Sequence, residues 1–129
     1  MNANEQQDRL NDLADMVLQS AFEVSNALGA GFLEKVYQKA LQHELNIRGI
    51  EAKTEVGFPV FYKGHRVADY YADILVEQKL ILELKCVEHL GRDHLAQCIN
   101  YLRASDLNLC LLLNFQNPKV EWKRVVWNF

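Results

Sequence analysis

The chain holds only three cysteines, and Cys86, Cys98 and Cys110 form neither a CxxC pair nor an even set. That excludes a disulfide framework and a cysteine-rich zinc module, and the three read as reduced core residues. Long hydrophobic runs are missing too. The longest, Leu109 to Leu113, is far too short to cross a bilayer, and the polar stretch from Met1 to Arg9 shows no signal peptide. A soluble, cytosolic protein with no membrane partner is the expectation. Nor is there an excess of basic charge, because the formal net charge is −3. Coating nucleic acid nonspecifically needs many phosphate-neutralising Lys and Arg, so any nucleic-acid contact has to be local. Internal repeats, low-complexity stretches and dividing linkers are likewise absent. What remains is 129 residues, half of them apolar, enough to bury a core as one domain, with residues 1–9 as a flexible lead-in.

Hydrophobic periodicity organises that domain. Leu10, Leu13, Val17, Ala21, Val24 and Leu28 recur at the three-and-four spacing of an amphipathic helix, which Gly29-Ala30-Gly31 ends. A second helix is expected from about Phe32 to Arg48, with Gly49 as its stop. The period then changes. Val56–Tyr62, Val67–Val76 and Leu80–Val87 are β-rich segments parted by Lys63-Gly64-His65 and Glu77-Gln78-Lys79, the pattern of an antiparallel meander. A third helix is expected from Arg92 to Arg103. The nearly continuous apolar run Leu107–Phe115 fits a strand buried on both faces, and Val120–Trp127 fits a last edge strand. The order is α-α-β-β-β-α-β-β, a mixed sheet covered by helices.

The chemistry concentrates on the third strand. In Ile81-Leu82-Glu83-Leu84-Lys85, alternation sets Ile81, Glu83 and Lys85 on one face and the leucines on the other. Alone, Glu83 and Lys85 could be a solvated surface pair. Asp73 changes the balance, because it interrupts the apolar strand Ala72–Val76. A three-residue turn would make it the cross-strand neighbour of Glu83. Adjacent carboxylates repel unless a cation lies between them, and Mg²⁺ is held by one or two carboxylates plus water and phosphate oxygens. Glu34 falls between Tyr37, Leu41 and Leu45 on the apolar stripe of the second helix. It reads either as a further site carboxylate or as an acid complementing the helix N-terminus. On the third helix His94, Gln97 and Tyr101 share a polar, uncharged face, which suits either a site lining or an ordinary structural face.

These residues resemble a known family. Gly31-Phe32-Leu33-Glu34-Lys35-Val36-Tyr37 reproduces a GxxExxY motif. Asp73-Ile74-Leu75-Val76, Glu83-Leu84-Lys85 and His94 to Tyr101 follow in the order and spacing of the bacterial and archaeal GxxExxY proteins, from about Leu13 to Val125. That family is grouped with the PD-(D/E)XK nuclease-like superfamily, whose α-β-β-β-α-β core agrees with the order above. The resemblance implies a restriction-endonuclease-like α/β (α+β) fold and a Mg²⁺ or Mn²⁺ ion held by Asp73, Glu83, the Leu84 carbonyl and Glu34. It further implies that Lys85 positions or activates water, that Gln97 and Tyr101 form the QxxxY element of the RecB-like branch, and that His94 contacts phosphate or supports the site. Ala72 stands where the superfamily's name has Pro, and Asp69, sharing strand parity with Asp73, is a rival ligand.

The expected activity is metal-assisted hydrolysis of phosphodiester bonds in DNA or RNA, with Arg66, Arg92, Lys123 and Arg124 as candidate backbone-binding cations. Two other readings are compatible with the residues. One is a catalytically silent binding or assembly subunit, pairing as a homo-oligomer through the final edge strand with Trp122 and Trp127. The other is hydrolysis of a small phosphoester or nucleotide, which the lack of a basic groove permits.

Overall fold

Asn2 opens the first helix, because its side-chain oxygen accepts the Glu5 N–H at 2.8 Å and satisfies one of the donors that a helix start leaves bare. In the computed structural model, which describes all residues 1–129, helix α1 therefore spans Ala3–Leu28. The stretch through Arg9 that was expected to be flexible is helical from Ala3. Hydrophobic periodicity missed it because a capped first turn needs no apolar residue. Gly29, at φ 72°, closes α1 by donating its N–H to the Ser25 carbonyl.

Helix α2 covers Glu34–Ile47, and the strands are β1 (Ala52–Tyr62), β2 (His65–Val76) and β3 (Leu80–Lys85). Helix α3 (Arg92–Ser105), β4 (Leu109–Asn114) and β5 (Glu121–Val126) complete the expected order. The five strands lie side by side in chain order. β1, β2 and β3 form the antiparallel meander, α3 is the crossover to a parallel β3–β4 pair, and β5 returns antiparallel as an edge. The β2–β3 turn holds three residues between paired Val76 and Leu80. Its tightness places Glu77 and Gln78 in the left-handed region at φ 52° and 59°.

Helices cover both faces of the sheet. On one, Val17 and Ala21 of α1 and Leu41 and Leu45 of α2 bury Leu80, Leu82, Leu84 and the odd-numbered leucines of β4. On the other, Cys98 and Leu102 of α3 cover Ile81, Cys110 and Leu112. Each buried leucine contributes about 1.5–3 kcal/mol, so the strict alternation along β3 and β4 settles which face each residue takes. Cys98 and Cys110 are buried side by side and all three cysteines are free. No helix is long and apolar enough to cross a membrane.

Two irregularities prepare the site. First, the ladder joins Thr54 to Ile74 and Val56 to Ala72 but omits the pair between them, Glu55 and Asp73. Glu55 takes φ 55°, and the pleat changes sides there: Ala52 packs beneath α1 and α2, whereas Val56, four residues on, packs towards α3. Second, β1 and β2 run to 11 and 12 residues while the remaining strands have six each. The far half of the β1–β2 ribbon therefore projects beyond the third strand.

Candidate metal centre and active site

Where the β2–β3 ladder ends, side chains take over the backbone's hydrogen bonds. The last paired residues are Ile74 and Leu82, and continuing that register sets Asp73 opposite Glu83. There the Glu83 Oε1 accepts the Asp73 N–H at 3.1 Å, and the Asp73 Oδ2 accepts the Leu84 N–H at 2.8 Å. The Asp73 carbonyl is likewise held by a side chain, the buried Gln38 amide of α2, at 2.8 Å. Two strands parted at this point leave a notch, and the two carboxylates span it. Because backbone groups alternate in direction along a strand, the Leu84 carbonyl shares the side of its N–H and faces the same notch. The geometry brings Asp73, Glu83 and the Leu84 backbone together.

The electrostatics are those of an acid pair lacking a counter-charge. Burial, then the neighbouring Asp73 carboxylate, pushes Glu83 up to about 9. Burial also raises Asp73 above the usual carboxylate range, opposed by the Leu84 N–H and reinforced by Glu34. The half-buried Lys85 ammonium acts against the rise on both acids but does not cancel it. Tyr101 is raised by burial and next by the Glu83 and Asp73 charges, which places its hydroxyl within the field of the pair.

Glu34 requires a correction. It is exposed at the first position of α2, rather than buried in the helix's apolar stripe, because only later turns, at Tyr37, Leu41 and Leu45, lie over the sheet. It overhangs the notch instead, lining a cleft of about 160 Å³ with Asp73, Leu84, Gln38, Glu55 and Lys35. Tyr37 explains why the motif needs its tyrosine. Its buried hydroxyl donates to the Gly29 carbonyl at 2.6 Å and accepts the Phe32 N–H at 3.3 Å, while its ring stacks on Phe115 at 4.8 Å. The loop that delivers Glu34 is thereby pinned to the core.

The polar face of α3 borders a separate cleft, on the other side of the sheet from α2. Gln97 is exposed and, with Tyr101, Tyr70 and Asp93, lines a shallow cleft of about 350 Å³. His94 accepts the Gly91 N–H on Nδ1 at 2.9 Å and so caps α3, while Arg92 is exposed at that helix's first position. Arg66 stands near the ribbon tip, bonded to Asp69 and seven residues along β2 from Asp73, roughly 23 Å at strand rise. The rival ligand Asp69 is thus an ion-pair partner of Arg66, away from Glu83. Lys123 and Arg124 lie on β5, where Arg124 bonds Asn11 of α1.

Sequence reasoning missed Glu55 and Gln38. Glu55 accepts from Lys35 at 2.7 Å and from Gln38 at 3.1 Å, and the Lys35 contact holds its carboxyl below the usual range. Gln38 was within reach of pattern reading, since it lies four residues after Glu34 and hence on the same side of α2. Glu55 was not, because only the missing ladder pair swings it to the notch.

No three His, Cys, Asp or Glu side chains converge into a complete metal cage. The donor set nevertheless fits a hard divalent cation: each carboxylate uses one oxygen on a backbone N–H, which leaves the other free, and the pair's raised affinity for protons marks an unmet need for positive charge. Glu34 stands at the rim of the cleft that Asp73 and Leu84 line.

A five-stranded mixed sheet between helices, carrying an acid pair and a lysine where two central strands part, defines the restriction-endonuclease-like class of folds. The sequence profile of the PD-(D/E)XK nuclease superfamily matches residues 11–125, and the chain belongs to that superfamily. Among solved structures, the crystal structure of SSO0001 is similar at a TM-score of 0.56 and 16% identity, over 74% of this chain. At that identity the likeness concerns the fold alone, and this chain spans about half (50%) of that protein's length. Among curated proteins none matches the sequence.

Proposed function

We propose that this chain is a divalent-metal-dependent nuclease of the GxxExxY kind, hydrolysing phosphodiester bonds of DNA or RNA with Asp73, Glu83 and Lys85 at its centre. The observation that carries the reading is the acid pair spanning the parted strands. Two acids have replaced backbone pairing in the middle of a sheet, where burial and then the neighbouring carboxylate raise the affinity of Glu83 for positive charge.

Bound there, Mg²⁺ or Mn²⁺ would lower the pKa of water and neutralise charge on the scissile phosphate. Asp73, Glu83 and the Leu84 carbonyl would hold it, and Glu34 would act on it from the rim through water. Lys85 shares the strand face of Glu83, so its ammonium can orient the attacking water and stabilise the developing phosphorane charge. Tyr101 and Gln97 stand on the facing helix, where they can hydrogen-bond substrate phosphate or water. Arg92 and His94 at the start of α3 offer further phosphate contacts, His94 through the ring nitrogen that does not cap the helix.

The test is incubation of the purified protein with single-stranded, duplex and branched DNA and with RNA, in Mg²⁺, Mn²⁺ or EDTA, beside Lys85→Ala. Cleavage that needs metal and disappears in the variant supports the nuclease. Absence of cleavage together with no Mn²⁺-induced thermal shift would instead favour a silent assembly subunit. For that reading the half-exposed Trp122 on edge strand β5 is the relevant surface.

A further inference from the structure

In the projecting half of the β1–β2 ribbon only Phe58 packs against a core cluster, on the α3 side. From Gly57 to Tyr71 every residue is exposed or half-exposed, yet these 15 positions hold five of the chain's 13 aromatic side chains. Phe61, Tyr62 and Tyr71 are each more than half exposed, at 60%, 62% and 54%. A two-stranded ribbon in water gains little from such rings unless they serve a surface. The placement is directional as well. Tyr71 lies flat over Gly57, where an added Cβ would come within 2.9 Å of its ring, so glycine is needed for that ring to lie against the strand. Tyr70, on the other face, meets Tyr101 at 5.4 Å between ring centres. The two rings therefore flank the strand just before it reaches Asp73.

Charge tells what the ribbon is suited to hold. The chain is acidic overall, but between Gly57 and Tyr71 the one acid is Asp69, and Arg66 already pairs with it. Lys63 projects from the tip with its ammonium over the Tyr62 ring at 5.5 Å. Exposed rings beside Lys63, with almost no unpaired acid, form the pattern that binds unpaired bases by stacking. A duplex hides its base faces and would have to be held through many phosphate contacts, for which this surface lacks the cations.

We infer that the β1–β2 ribbon is a stacking arm that binds single-stranded nucleic acid and leads it, base by base, to the carboxylate notch. The inference rests on the nuclease reading for its biological sense, but not for its test. Anisotropy of fluorescein-labelled dT20, rU20 and a blunt 20-base-pair duplex is measured with the whole chain in EDTA, where binding needs no cleavage. Single strands should bind at least tenfold more tightly than duplex. Their affinity should fall less than about tenfold between 50 and 200 mM salt, as for two or so phosphate contacts. Tyr62→Ala and Tyr71→Ala should each weaken single-strand binding, roughly five- to 150-fold per ring, and Tyr62→Phe and Tyr71→Phe should retain it. Circular dichroism confirms that each variant is folded, and the dT20 and rU20 arms tell DNA from RNA.

Equal or tighter duplex binding overturns the proposal. So do alanine variants that bind like wild type, or a sedimentation-defined dimer that either alanine variant dissociates, which would give the arm to a second copy of the chain. Ring-dependent binding without metal-dependent cleavage sustains the arm and sinks the nuclease. Cleavage indifferent to the rings does the reverse.

Discussion

Replacing Glu83 by Gln should make the metal-free protein more stable at neutral pH. Glu83 is buried beside Asp73 and pushed up to about 9, against an ordinary value of 4.5. Below about pH 4.5 the group is protonated in both folded and unfolded chains and has no net effect. Between 4.5 and 9 the unfolded chain ionises while the folded one keeps its proton, so wild-type stability falls by about 1.4 kcal/mol for each pH unit. Over the three units to pH 7.5 the loss reaches about 4 kcal/mol. Gln at 83 keeps an oxygen for the Asp73 N–H and has no proton to lose. A gain on the order of 2–4 kcal/mol at pH 7.5 follows, or roughly 6–15 °C in Tm for a domain this size, shrinking towards nothing at pH 4.5.

The assay is thermal and urea unfolding of both proteins in EDTA across pH 4.5–8.5. Adding Mn²⁺ at pH 7.5 should reverse the order, because ligation restores the wild-type carboxylate's value and the amide cannot replace it. A variant less stable at neutral pH, or a gap that does not change with pH, would show that Glu83 is ionised in the native fold. An acid pair ionised without metal has no unmet need for a cation.

Lys85→Ala should lower metal-dependent cleavage by about 10²–10⁴. Its Tm should stay near wild type, since the side chain is half-buried and makes no hydrogen bond in the core. Tyr37→Phe removes the hydroxyl that bonds Gly29 and Phe32, and urea melts should show a loss of about 1–3 kcal/mol. Glu34→Gln leaves the core untouched because the residue is exposed, so folding should be unchanged while calorimetry records weaker Mn²⁺ binding. Gln38→Leu strips the Asp73 carbonyl of its side-chain donor and Glu55 of one of its two, and unfolding should report a cost of about 1–3 kcal/mol.

Much of the fold follows from period alone. Leucines alternating along β3 and filling β4 have one low-energy arrangement, between helices on both faces, and the spacing of Asp73, the turn and Glu83 makes those acids cross-strand neighbours. Helix ends were less legible, because α1 begins at a polar cap that leaves no mark on hydrophobic periodicity.

Tertiary structure alone decided the details that make the notch. Periodicity assumes unbroken pleats, and at Glu55 and Asp73 the pleat breaks, moving Glu55 to the site and handing the Asp73 backbone to Gln38 and Glu83. Glu34 shared the stripe of Tyr37 on a helical wheel, yet a wheel carries no record of where the sheet stops, and the first turn of α2 overhangs its edge. Face and order are local properties of a chain. Burial, proton affinity and the gap between two strands arise only when distant segments exclude water from one another.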